Sequence, residues 1–359
     1  MKSKLIPILL LGLGACAQKQ EVGLKDVFDY QIGTALSIQQ IQEKDPKADS
    51  LVKRQFNVLT PENIMKSMFL QPERGKFDFT AGDQLIQYAE KNGMKVVGHT
   101  LVWHSQLPPY AHQITDKEEF RAFMEEHIKE VASHYDGKVQ GWDVINEALE
   151  EDGSLRKSIF LNLLGEDYIT DAFKLAAKYT PSSQLYYNDY NIEQPAKRAG
   201  AIRLIKKVQD AGLRIDGVGI QGHWMVGKVP FEEIEKSIIE YAALGLKVMI
   251  TELDIEVLPR NFTGAEVSKR IEGGENLNPY KDGLPDSVQQ QLASDYERLF
   301  QIFEKHKDKI TRVTFWGVHD GQSWLNGWPV PGRTNYPLLF DRNYQPKPAY
   351  YKVMSLKNK

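Results

Sequence analysis

Two glutamates stand among groups that bind or move protons. Glu147 lies in Trp142-Asp143-Val144-Ile145-Asn146-Glu147-Ala148, and Glu252 in Thr251-Glu252-Leu253-Asp254. Alone, such a glutamate is as readily an ion-pair partner or a helix cap. Two of them in polar company suit a reaction in which one carboxyl protonates a leaving oxygen and the other attacks or activates water. Cleavage of a glycosidic bond has that requirement. Side chains alternate along a strand, so Glu252 and Asp254 share a face, as do Gln221 and His223. A Glu252–His223–Asp254 hydrogen-bonded group would keep Glu252 ionised and oriented, as a nucleophile must be. Glu147 is then expected to be the acid, raised by the nearby carboxylate and a dry pocket, with Asn146 beside it to donate to a sugar hydroxyl. His99 and His104, with acidic residues in the chain, raise a metal site as another reading. Their spacing puts the two rings on opposite faces of an extended segment, and no metal or cofactor is expected.

These residues need a scaffold that brings distant segments together. Short β-branched apolar runs at 32–37, 56–60, 95–102, 139–145, 184–187, 217–220, 247–251 and 312–316 alternate with longer stretches at 83–92, 118–134, 168–179, 196–211, 231–244 and 287–307. Apolar residues recur at three- and four-residue steps in the longer stretches, which predicts amphipathic helices. Eight strands alternating with helices predict an α/β fold, a single (β/α)₈ TIM barrel, with a doubly wound sheet as the alternative. No Gly-x-Gly-x-x-Gly follows the first strand, which weighs against a dinucleotide-binding sheet. In a barrel the C-terminal strand ends carry the chemistry, and here they are rich in polar and aromatic residues: Glu62, Asn63 and Lys66; His99 and Trp103; Asn146 and Glu147; Tyr190; Gln221 and His223; Glu252; Trp316 and Trp324. The irregular stretch 259–285 follows the seventh strand and is either a lip of the substrate cleft or a solvated insertion.

The chain has 359 residues and a formal net charge of −3, with no basic stripe, so a nucleic-acid partner is not expected. At the N-terminus Lys2 and Lys4 precede an apolar run that ends in Leu13-Gly14-Ala15-Cys16. The run is too short to span a bilayer and predicts a signal segment over 1–16. Cys16 is the only cysteine. Its place at the end of that run resembles a bacterial lipobox, with the thiol lipidated and the protein held to an envelope membrane. Plain secretion or periplasmic release is the competing reading. A polar tether is expected over 17–27 and one catalytic barrel over 28–359. With no heptad pattern, a monomer is the default.

Taken together, these segments resemble glycoside hydrolase family 10, the retaining endo-β-1,4-xylanases. The matching pieces are Thr60-Pro61-Glu62-Asn63-Ile64-Met65-Lys66, Gly98-His99-Thr100-Leu101-Val102-Trp103-His104, the segment around Glu147, Tyr187-Asn188-Asp189-Tyr190-Asn191, Ile220-Gln221-Gly222-His223, the segment around Glu252, and Leu339-Phe340-Asp341 with Pro346-Lys347-Pro348-Ala349-Tyr350. The resemblance implies a xylan or xylo-oligosaccharide substrate, no cofactor, Glu147 as acid/base and Glu252 as nucleophile. It implies hydroxyl contacts from Glu62, Asn63 and Lys66 on the sugars before the cut. His99, Trp103, Asn146, Gln221 and His223 would wall the reacting sugar. Trp316 and Trp324 would lie over it, and Tyr190 would be an aromatic platform on the leaving-group side. Asp143 and Asp254 would brace the site. Duller readings stay open, such as Lys66 solvated on a helix and Trp103 filling core. Tyr110 stands after two prolines where the family often carries tryptophan. Other readings are an exo-acting xylosidase or β-glucanase of the same fold, and a glycan-binding protein without chemistry.

Overall fold

The computed structural model describes residues 22–262, 264–271 and 275–358. The signal segment and Cys16 lie outside the described residues. Eight parallel strands form the centre: β1 (Gln31–Leu36), β2 (Val58–Pro61), β3 (Lys95–Trp103), β4 (Gly141–Asn146), β5 (Gln184–Asp189), β6 (Gly217–Ile220), β7 (Lys247–Glu256) and β8 (Ile310–Phe315). Each pairs with the next, β8 pairs with β1, and β6 pairs with β7, so the sheet closes on itself. This is a (β/α)₈ barrel, and a doubly wound sheet, which has open edges, is excluded. The short strand His223–Met225 adds to β7 beyond the end of β6.

Helices cover the outside because their apolar stripes have only the sheet to pack on. The helix Lys117–Tyr135 begins where Asp116 accepts the Glu119 N–H, and it buries Phe120, Phe123, Met124, Ile128 and Val131. The helix Pro46–Gln55 is one that the apolar pattern does not flag. Its N-terminus is nevertheless marked in the sequence: Asp45 caps the Ala48 N–H and Pro46 occupies the first turn. Packing also starts before residue 28. Leu24 is fully buried and its N–H donates to Gln55 Oε1 at 2.9 Å.

Close strand packing depends on glycine next to large rings. A Cβ on Gly98 would lie 2.3 Å from the Trp142 ring, and one on Gly141 would lie 2.4 Å from the Tyr186 ring. Val58, Val97, Tyr186 and Met249, one from each of four strands, make a small buried cluster separate from the main core.

The strands bearing the candidate site are irregular at the site. Pairing shifts register between His99 and Val102, between Asp143 and Ile145, and between Ile250 and Leu253. Such bulges redirect side chains that strict alternation would send elsewhere. Strand β7 also runs on to Glu256, so Glu252 sits within the strand rather than at its end.

Candidate active site

Strand β4 ends at Asn146, and the next residue leaves extended geometry. Glu147 has φ 57°, in the left-handed region, which costs a residue with a Cβ about 1–3 kcal/mol. Its N–H donates to the Asn188 carbonyl at 2.9 Å, and the Glu147 carbonyl accepts from Arg156 Nε at 2.9 Å. The turn lets the adjacent side chains of Asn146 and Glu147 face one cavity. The Glu147 carboxylate accepts from Trp103 Nε1 at 3.0 Å, Gln221 Nε2 at 3.0 Å and Asn146 Nδ2 at 3.3 Å. All three donors are uncharged.

Glu252 is held differently. Its Oε1 accepts from Asn188 Nδ2 at 2.7 Å, and its Oε2 lies 3.2 Å from His223 Nε2. His223 Nδ1 is 2.9 Å from Asp254 Oδ1, and Asp254 Oδ2 accepts from Trp324 Nε1 at 2.8 Å. Burial opposes a charge on His223, but Asp254 and then Glu252 outweigh it and push its pKa up to about 10. The imidazolium therefore donates to both carboxylates at neutral pH. Burial likewise opposes a charge on Glu252. The His223 hydrogen bond, the charges of His99 and His223, and the Asn188 amide overcome that and hold its carboxyl below the usual range.

An amide relay joins the two carboxylates. Asn188 Nδ2 also reaches Asn146 Oδ1 at 2.9 Å, and Thr251 Oγ1 donates to Asn188 Oδ1 at 2.6 Å, which fixes the amide's orientation. The path runs Glu252–Asn188–Asn146–Glu147.

A cavity of about 250 Å³ contains nearly all the sequence-predicted groups: Glu62, Asn63, Lys66, His99, Trp103, Asn146, Glu147, Gln221, His223, Glu252, Trp316 and Trp324. Lys66 Nζ donates to Asn63 Oδ1 at 3.0 Å and lies 4.7 Å from the centre of the Trp103 ring. Burial lowers its pKa, against the pull of Glu252, Glu62 and Glu147. Burial also raises the Glu62 carboxyl. Lys66 is buried, not solvated, and Trp103 has its ring N–H on Glu147. Asp143 stands behind the wall, 2.9 Å from His99 Nδ1, as Asp254 stands behind His223.

Tyr190 is the exception. It is 5% exposed and absent from the cavity wall. Its hydroxyl accepts from Arg156 at 2.7 Å, Lys197 Nζ lies 3.5 Å from its ring centre, and Gly264 packs against the ring edge. An open platform is therefore not what this structure presents at Tyr190, because a loop covers it.

That loop belongs to the irregular stretch 259–285, and its described part is no loose insertion. Ala265, Val267 and Arg270 form part of the cavity wall, and Glu266 is buried. Sequence reasoning also assigned nothing to Asn188, Arg156 or Trp328. Asn188 had a signal, since it lies in a quoted motif and shares a strand face with Tyr190. Trp328, stacked 4.6 Å from Trp324, had only its residue type. Arg156 and Glu266 had none, because their pairing spans 110 positions.

A closed α/β barrel with two unlike buried carboxylates in a polar, tryptophan-walled cleft is built as a glycoside hydrolase. Comparison narrows the class. The pattern of glycosyl hydrolase family 10 matches residues 22–356, and the chain belongs to that family. It is 43% identical to endo-1,4-beta-xylanase A of Xylanibacter ruminicola, over 97% of each chain. It is 45% identical to a GH10 endoxylanase structure from a sugarcane soil metagenome, with a TM-score of 0.89 over 93% of this chain and 100% of that one. A Thermotoga petrophila xylanase 10B solved with xylobiose is 32% identical, with a TM-score of 0.82 over 94% of this chain and 98% of that one.

Proposed function

We propose that the protein is an endo-β-1,4-xylanase that works with retention through a covalent glycosyl-enzyme intermediate. The observation that carries the division of roles is the unlike setting of the two carboxylates. Glu252 is bonded to an imidazolium and an amide, which suits a nucleophile kept as an anion. Glu147 is bonded only to uncharged donors, which suits a group that must give and then regain a proton. In the first step a Glu252 oxygen attacks the anomeric carbon while Glu147 protonates the departing glycosidic oxygen. In the second, Glu147 takes a proton from water as that water attacks the same carbon and frees Glu252. Two inversions leave the β-anomer.

The xylan preference is supported by the named activities of the relatives and by the tryptophan wall. Xylose lacks the hydroxymethyl group of glucose. Trp324 is held by Asp254 and stacked on Trp328, so it has little freedom to make room for that group. Glu62, Asn63 and Lys66 supply charged and polar contacts for sugar hydroxyls on the retained side. The N-terminal segment ending in Cys16 further supports export and a lipid anchor in a bacterial envelope membrane.

The test offers xylan, mixed-linkage glucan, cellulose and mannan, and follows new reducing ends and the first anomer released. Internal cuts in xylan with β-anomer are expected, and release of α-anomer defeats the retaining mechanism. Glu252→Ala should stop turnover of every substrate. Glu147→Ala should lose about 10²–10⁴-fold on xylan, yet keep activity on an aryl xyloside whose leaving group needs no proton. Equal losses on both substrates defeat the assignment of roles.

A further inference from the structure

The loop after β7 crosses the mouth of the barrel and is fastened on its far side. Glu266 Oε2 lies 2.6 Å from Arg156 Nη1 and 3.6 Å from His104 Nε2. Arg156 belongs to the loop after β4, and His104 follows the last residue of β3. The neighbours of Glu266 on both sides, Ala265 and Val267, wall the cavity that holds Glu147 and Glu252. Each end of the crossing is also fixed: Arg260 pairs with Glu256 at 2.8 Å, and the Ile271 N–H donates to the Pro329 carbonyl at 3.2 Å.

We propose that Glu266 is a latch that sets substrate specificity: it holds this loop down over the leaving-group side, and chains carrying sugars beyond the cut bond bind only after it releases. The inference rests on the proposed glycosidase reading, in which the leaving group departs past Glu147 toward Tyr190. Two observations place the loop there. Atoms of His104, Glu147 and Glu266 lie within 4.8 Å of one another, so the latch sits against the proton donor itself. Gly264 lies at the edge of the Tyr190 ring, where a Cβ would come within 2.9 Å of it, so the loop closes off that side of a residue left only 5% exposed. The latch is charged. The neighbouring His104 imidazole and then the Arg156 guanidinium outweigh burial and hold the Glu266 carboxyl down to about 2. A flat aryl leaving group occupies far less of the covered space than a sugar chain does. The closed loop therefore discriminates by the size of the leaving group.

Glu266→Gln keeps the side chain's shape and removes its charge. The experiment compares kcat/KM for xylohexaose with kcat/KM for 4-nitrophenyl xylobioside in the wild type and the variant. The ratio is internal to each sample, so a loss of folded protein cancels. An apparent affinity falls in proportion to the fraction of protein in the competent state, so unlatching should raise the xylohexaose-to-aryl ratio by roughly three- to tenfold. A ratio unchanged or lowered in Glu266→Gln overturns the latch. Hydrolysis of neither substrate by the wild type overturns the glycosidase reading beneath it.

Discussion

At the scale of single residues, the site is organised by how two glutamates are kept different. Asp254 never meets the cavity, yet its charge is the leading reason that His223 stays protonated, and His223 in turn helps to keep Glu252 charged. Asp254→Asn retains the hydrogen-bonding shape and removes that charge. The His223 pKa should fall and the Glu252 carboxyl should rise. The acid limb of the kcat/KM profile on an aryl xylobioside should then move to higher pH by about one unit or more. An unmoved limb shows that Asp254 only positions the ring. The same linkage affects stability. Because the His223 pKa is raised from 6.5 to about 10 on folding, its contribution is full below pH 6.5 and drains away as pH rises toward 10. Denaturation midpoints of the wild type should decline across that window, and those of Asp254→Asn should decline less.

At the scale of elements, the eight strands were legible because each is a short apolar run, β-branched in all but Gln184–Asp189, ended by Gly, Pro or polar residues. Their polar ends marked the catalytic rim for the same reason. Alternation along a strand correctly grouped Glu252 with Asp254 and Gln221 with His223. It could not show that Asn146 and Glu147 share the cavity, because a left-handed residue breaks the alternation there. Nor could it show the bulges under His99, Asp143 and Glu252. The helix Pro46–Gln55 escaped because much of its surface is charged, although its cap and proline were in view. Packing between strands yields a prediction of its own. Gly98 has no room for a methyl group beside Trp142, and its backbone is not in the left-handed region. Gly98→Ala should therefore destabilise by overpacking, by about 1–3 kcal/mol, read as a lower urea midpoint with an unchanged slope. No change in the midpoint means that the Trp142 ring moves aside freely.

At the scale of the molecule, one closed barrel explains how residues carried by six of the eight strands and the segments after them line one cavity. The chain's modest net charge of −3 fits an uncharged polysaccharide that needs no long-range steering. What stayed illegible at this scale is the loop crossing. It depends on one ion pair between distant segments, and such a pair leaves no local pattern in a sequence. Attachment is a whole-molecule property too. If Cys16 carries a lipid, the expressed full chain should sediment with membranes, and Cys16→Ser should appear in the soluble fraction. Equal partitioning of the two forms removes the anchor.

The backbone at Glu147 has a consequence for descent. Glycine at that position would relieve the left-handed strain but leave the buried Trp103, Gln221 and Asn146 donors without their acceptor, so the two effects oppose each other. Under the proposed reading, turnover is a further reason to keep the glutamate. A descendant relieved of hydrolysis, yet still selected to grip the same polysaccharide, would need an uncharged acceptor there, such as glutamine. It would keep the tryptophans and the hydroxyl contacts, and so become a protein that binds and no longer cuts.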